Sequence, residues 1–119
     1  WPSVADLRAA MDKLIAAGYK VKISELDMSM YNDYPTGSFE AAPQITWDAT
    51  LAANQATAYA ALFALFREKK SDITSVTFWG VSDAHSWLNN EPVPGRTNFP
   101  LLWDAALMPK DAYFSVRDF

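Results

Sequence analysis

The 119-residue sequence predicts an α/β fold with the element order helix–strand–helix–strand–helix. Three observations predict it. Apolar residues recur at helical spacing over residues 3–17 and again over about 50–70. Two short stretches, about 19–27 and 73–80, read as strands that follow those helices. Half of the residues (50%) are hydrophobic, which suffices for one core and is too little for two ordinary domains.

In the first helix, Val4, Leu7, Met11, Leu14 and Ile15 fall on one stripe. Ser3 is its expected N-cap, with Asp6 three residues on, and Gly18 stands where a helix stops. In the first strand, alternation puts Tyr19, Val21, Ile23, Glu25 and Asp27 on one face. Lys20, Lys22, Ser24 and Leu26 take the other, so Lys22 is expected against the outer helices, where it must snorkel or pair. Two acids thus end an apolar face, where an unpaired, unsolvated carboxylate costs several kcal/mol. Residues 28–47 form a long loop with Pro35, Gly37 and Pro43. The second helix buries Ala56, Tyr59, Ala60, Phe63 and Phe66, and Arg67, Lys69 and Lys70 suit the dipole at its end. In the second strand, Thr77 and Trp79 share a face opposite Val76 and Phe78. Residues 81–108 are mostly irregular, and a last helix is expected over 109–117, with Pro109 at its first position.

Ten basic and fourteen acidic residues give a formal charge of −4. No Lys/Arg patch stands out, so nucleic acid is not an expected partner. The absence of cysteine excludes a disulfide framework, a Cys-based zinc site and a thiol nucleophile. No apolar run comes near the ~18 residues of a membrane span, and no membrane partner is expected. The sequence opens on Trp1-Pro2, without Met or a signal-peptide pattern, and is expected to be a piece of a longer polypeptide.

The element order points the same way. Strands joined by helices are normally parallel, and parallel sheets are covered on both faces. Two such strands leave both outer edges unpaired. A (β/α)8 barrel takes ~250 residues or more, so this sequence fits the last third or so of one. Function in such barrels sits at the C-terminal strand ends. Those places hold Glu25 and Asp27 after the first strand, then Trp79, Asp83, His85 and Trp87 after the second.

Three motifs carry a resemblance. Val21-Lys22-Ile23-Ser24-Glu25-Leu26-Asp27 resembles the nucleophile strand of the family 10 glycoside hydrolases, retaining endo-β-1,4-xylanases built on a (β/α)8 barrel. Val76-Thr77-Phe78-Trp79-Gly80-Val81-Ser82-Asp83 with Ser86-Trp87 resembles the family's eighth strand and following loop. Pro100-Leu101-Leu102-Trp103-Asp104 with Pro109-Lys110 and Ala112-Tyr113 resembles its closing segment. Order and spacing match, as does the helix from Gln55 to Tyr59, and the resemblance covers essentially the whole sequence. Ser24 stands where Thr is usual and Trp103 where Phe is usual.

The resemblance implies roles. Glu25 would be the nucleophile, held on a rigid strand end. Asp27 would support it through a histidine of the preceding strand, which this sequence lacks. The acid/base Glu of the fourth strand is also absent, and Glu40, Glu68 and Glu91 lie at no predicted strand end. Trp79 and Trp87 would stack on xylose units. His85, the lone histidine, is a candidate for the cleft rim and cannot make a metal site alone. Arg96 lies in a polar loop, Gly95-Arg96-Thr97-Asn98, as a candidate for substrate contact. Tyr31 and Tyr34 are candidates for the leaving-group side. The Asn32-Asp33 loop lacks the spacing of a calcium loop. No cofactor is implied. The expected partners are xylan or xylo-oligosaccharide and the N-terminal remainder of the barrel, covalent or separate, or else further copies of the chain. An extracellular or cell-surface location follows from the size of xylan. The chain alone is expected to be inactive for want of its proton donor. The alternatives are a related barrel glycosidase acting on β-glucan, a non-catalytic carbohydrate-binding or assembly piece, and a cleavage product with no role of its own.

Overall fold

Ser3 opens the first helix in the structure, a computed structural model that describes residues 2–31 and 43–117. The Ser3 hydroxyl accepts a hydrogen bond from the Asp6 backbone N–H at 3.1 Å and donates to Asp6 Oδ2 at 2.6 Å. That satisfies one of the amide donors left over at a helix start. Helix α1 runs Val4–Ala16. Gly18 then adopts φ +85°, a conformation that costs other residues a clash at Cβ. Met11 is buried at the centre of the stripe, with Val4, Leu7 and Ile15 packed around it. Leu14 is exposed instead. At 3.6 residues per turn it lies about 60° from Met11, on the margin of the stripe.

Two strands follow their helices as the periodicity predicts. β1 runs Val21–Leu26 and β2 runs Ile73–Phe78, paired in parallel. Helix α2, Ala49–Glu68, connects them. Its N-cap is Asp48, whose Oδ1 accepts from the Leu51 N–H at 2.8 Å. Its buried set is wider than one stripe. Gln55, Tyr59, Leu65 and Phe66 are all buried, because α2 meets α1 and the sheet on one side and the last helix on the other. By length and hydropathy α2 resembles a membrane span, which the sequence reading did not anticipate. Polar side chains tie it to the loop before the last helix: Gln55 Nε2 donates to the Phe99 carbonyl at 2.6 Å and Tyr59 Oη to that of Pro100 at 2.7 Å. Helix α3 runs Asp111–Arg117. It starts two residues after Pro109, because Pro109 forms an antiparallel bridge with Trp103.

The faces of β1 differ from the prediction. Val21, Ile23 and Leu26 pack with Ile73 and Val76 against Met11, Leu65 and Phe66 of the helices. Lys22, expected on that side, is exposed with Ser24 and Glu25. Alternation keeps Lys22 opposite Val21 and Ile23, and it is their apolar face that meets the helices; for Glu25 and Leu26 the cause is an irregular ladder. Val21 pairs with Ile73 and Lys22 with Ser75, then Ile23 pairs with Val76 and Leu26 with Phe78. Between Ile23 and Leu26, β1 takes three steps where β2 takes two. The extra residue is a β-bulge, and it switches the side on which later side chains emerge. Glu25 therefore leaves the face of Val21 and Ile23, and Leu26 replaces it against the helices. On β2, Val76 and Phe78 face the helices while Thr77 and Trp79 are exposed.

Candidate active site

The bulge delivers Glu25 to the open face of the sheet, next to its C-terminal end. Bulges commonly re-aim a side chain beside a reacting centre. Asp27 follows one residue after β1 and is half-buried. Trp79 follows β2, its N–H donating to the Leu26 carbonyl at 2.9 Å, so it extends the ladder by one step. The next residue is Gly80 with φ +147°, and a Cβ there would stand 2.8 Å from Leu101 Cδ1. That close approach needs glycine and fixes the exit of the chain from Trp79.

Beyond Gly80, two short 3₁₀ turns, Asp83–His85 and Trp87–Asn89, carry the loop back over the strand ends. Ser86 Oγ accepts from the Leu88 N–H at 3.2 Å, and Leu88 is buried. Trp87 comes to lie with its indole Nε1–H donating to Asp27 Oδ2 at 2.7 Å. Residues 60 positions apart are thus joined by a short charge-assisted bond. Trp79 and Trp87 keep 48% and 43% of their surface exposed, which leaves ring faces open to a ligand. Burial, foremost, and the nearby Glu25 charge raise the Asp27 pKa, while the Trp87 bond opposes the rise.

The floor of the site is the segment 97–101, and the carbonyls of Thr97, Phe99, Pro100 and Leu101 accept hydrogen bonds from elsewhere. Tyr31 Oη donates to the Thr97 carbonyl at 3.1 Å, Gln55 and Lys110 donate to that of Phe99, and Met28 N–H and Tyr59 Oη to that of Pro100. Asn98 is fully buried: its Oδ1 accepts from the Met30 and Phe99 N–H groups and its Nδ2 donates to Ser29 Oγ. An irregular buried segment needs such extensive pairing of its backbone groups.

Sequence reasoning missed the pair that holds this floor to the loop. Lys110 Nζ donates to Asp83 Oδ2 at 2.9 Å, to the Phe99 carbonyl at 2.9 Å and to that of Leu101 at 2.8 Å. Asp83 Oδ1 accepts from the Leu101 N–H at 2.8 Å. Both residues are buried. Burial raises the Asp83 pKa and lowers that of Lys110, in each case against the pull of the partner's charge. Both positions lie in the motifs, but nothing in the spacing marks them as partners.

The remaining candidates fall as follows. His85 is exposed, with Nδ1 3.4 Å from Ser82 Oγ. Arg96 is buried to 5% exposure, its guanidinium stacked 3.8 Å from the centroid of the Tyr31 ring. Tyr31 is buried too, its hydroxyl accepting from Gln44 Nε2 and the Ile45 N–H. Both tie the loops behind the site together and leave little surface for a ligand. Tyr34 and the Asn32-Asp33 loop lie outside the described residues. Glu68 pairs with Arg8 between the two long helices, and Glu91 is exposed in the loop after Trp87. Among the described residues no group of His, Cys, Asp and Glu could hold a metal ion.

The sequence matches the profile of glycosyl hydrolase family 10 over residues 1–119. The chain belongs to glycosyl hydrolase family 10. Among its relatives, endo-1,4-beta-xylanase A of Caldicellulosiruptor saccharolyticus is 40% identical over 118 residues, covering 98% of the chain and 33% of the relative. Endo-1,4-beta-xylanase B of Paenibacillus barcinonensis is 37% identical over 115 residues, covering 97% of the chain and 33% of the relative. A solved family 10 structure from Paenibacillus barcinonensis superposes with a TM-score of 0.89 at 35% identity, covering 99% of the chain and 32% of that protein. A mutant solved in complex with xylotriose superposes with a TM-score of 0.81 at 38% identity, covering 97% of the chain and 34% of that protein. The chain spans about a third of the length of these family 10 proteins. It corresponds to the C-terminal part of their (β/α)8 barrel, and its described residues hold two strands.

Proposed function

We propose that this chain supplies the nucleophile side of a retaining endo-β-1,4-xylanase. One observation carries the reading: a β-bulge turns Glu25 onto the open face of the strand ends, beside an Asp27 that is bonded to an exposed tryptophan. A retaining glycosidase needs a nucleophilic carboxylate and an acid/base carboxyl about 5–5.5 Å apart. Glu25 attacks the anomeric carbon and forms the glycosyl–enzyme bond as the leaving group departs. The acid/base carboxyl protonates the leaving oxygen and then deprotonates the water that releases the sugar. In this reading it comes from the remainder of the barrel, as does the histidine through which Asp27 supports Glu25. Trp79 and Trp87 stack on the xylose units, and no cofactor takes part. The remainder is joined to this segment covalently or binds it as a separate chain, and the chain alone self-associates and is inactive. Xylan is too large to enter a cell, which places the enzyme outside or on the cell surface.

The test joins the chain to the first two thirds of the Paenibacillus barcinonensis xylanase. Hydrolysis of xylan is expected from the joined barrel and not from the 119-residue chain alone. Carboxymethylcellulose is the control, since a related β-glucanase would hydrolyse it at least as well. A 2-deoxy-2-fluoro-xylobioside should leave its glycosyl mass on the peptide that contains Glu25. A label on another residue would overturn the assignment. Full xylanase activity from a verified monomer of this chain would overturn the division of labour.

A further inference from the structure

The Trp87 indole has two environments. Its backbone is fixed: the carbonyl accepts from the N–H groups of Asn90 and Glu91 at 3.0 and 3.1 Å, and the adjacent Leu88 is buried. Trp87 keeps 43% of its surface exposed, and a side chain on a fixed backbone still has χ1 and χ2 to choose. The polar contact that fixes the choice is Nε1–H to Asp27 Oδ2 at 2.7 Å. An indole N–H is a donor only, so an acceptor at this spot sets which ring edge points to the strand end.

We infer that Asp27 is the positioning residue of the Trp87 sugar platform, holding the indole plane beside Glu25 before substrate arrives. This rests on the proposed function and adds a second task for Asp27, distinct from support of the nucleophile. The carboxylate sits one residue past the bulged strand that sets Glu25, so the platform and the nucleophile share nearly the same backbone reference. A platform oriented in advance loses less rotamer freedom when the sugar binds. The bond to Trp87 also opposes the rise in Asp27 pKa and so favours the ionised form that accepts it.

The experiment uses the joined barrel, with xylotriose as the probe. The indole N–H resonance of Trp87, assigned by its loss in Trp87→Phe, is expected downfield and slow to exchange without ligand. In Asp27→Ala it should move upfield and exchange fast. The dissociation constant for xylotriose should rise on the order of ten-fold in Asp27→Ala and in Trp87→Phe. The double variant should bind no worse than either single one, because both remove the same bond. In turnover, Trp87→Phe should raise KM more than it lowers kcat, whereas Asp27→Ala should change both. An N–H that exchanges freely in the unmutated barrel, or fully additive losses in the double variant, would overturn the inference. If the unmutated barrel fails to bind xylotriose, the substrate reading fails; the N–H resonance still decides the pairing, since it is read without sugar.

Discussion

Asp27 is under opposing demands at a single carboxyl. Half-burial and the Glu25 charge raise its pKa, and only the Trp87 bond works against them. A carboxyl whose folded pKa lies above its unfolded value binds its proton more tightly in the folded state. Its contribution to stability is then complete below the ordinary carboxylate range and is lost as pH rises through the raised value. Asp27→Asn removes this term. The variant should gain on the parent in urea midpoint as pH rises above the ordinary carboxylate range of about 4, with little difference below it. A constant gap across the range would mean that Asp27 titrates alike folded and unfolded. Gly80 sets a second constraint of this size. Alanine there combines φ +147° with a Cβ 2.8 Å from the fully buried Leu101. Gly80→Ala should cost roughly 2–4 kcal/mol in thermal unfolding, and the neighbouring Trp79 should lose its alignment.

Between elements, the buried Asp83–Lys110 pair ties the loop after β2 to the start of α3. Both pKa shifts are set by desolvation, so the charges are costly to bury and hold because every Lys110 proton has an acceptor. Removing one partner leaves the other charge stranded. Lys110→Met and Asp83→Asn should each destabilise by about 3–5 kcal/mol, and the double variant by clearly less than their sum. Additive losses in denaturant unfolding would show that the two charges act independently. This pair also marks what the sequence left hidden. Periodicity showed the helices, the two parallel strands and the acids at the end of the first, because each is a local pattern of side-chain types. The bulge was hidden, since one extra residue between Ile23 and Leu26 has no compositional mark, and it moved Glu25 off the face of Val21 and Ile23. Lys22 precedes it and keeps its alternation, and it is exposed because the apolar face of Val21 and Ile23 is the one that meets the helices. The Asp83–Lys110 and Asp27–Trp87 bonds join residues 27 and 60 positions apart, a matter of tertiary packing alone. Arg96 stood in a polar loop as a candidate for substrate contact, and its stacking on Tyr31 shows how little a loop sequence says about where its charges turn.

The molecule as a whole leaves these elements only partly covered. Among the described residues the sheet has two strands, and both outer edges lack a neighbour. Ile23, Leu26, Val76 and Phe78 are only half-buried. A groove of about 260 Å³ between the start of α1, β1 and α2 is lined by Val4, Leu7, Ile23, Leu26 and Leu62. The radius of gyration is 15.0 Å, against about 13.5 Å for a compact chain of this length. Unpaired parallel edges and open apolar surface favour pairing with another chain. In the barrel both edges and the groove would be covered by neighbouring strands and helices. Native mass spectrometry of the 13.3 kDa chain alone should therefore show oligomers at micromolar concentration. Adding the first two thirds of the Paenibacillus barcinonensis xylanase should convert them to a one-to-one complex, with xylan hydrolysis appearing in step. A 13.3 kDa monomer that unfolds cooperatively on its own would show that α1, α2 and the two strands make a sufficient core. Oligomers that persist in the presence of the complementary piece would instead mean that contacts between copies outcompete the barrel's own edges.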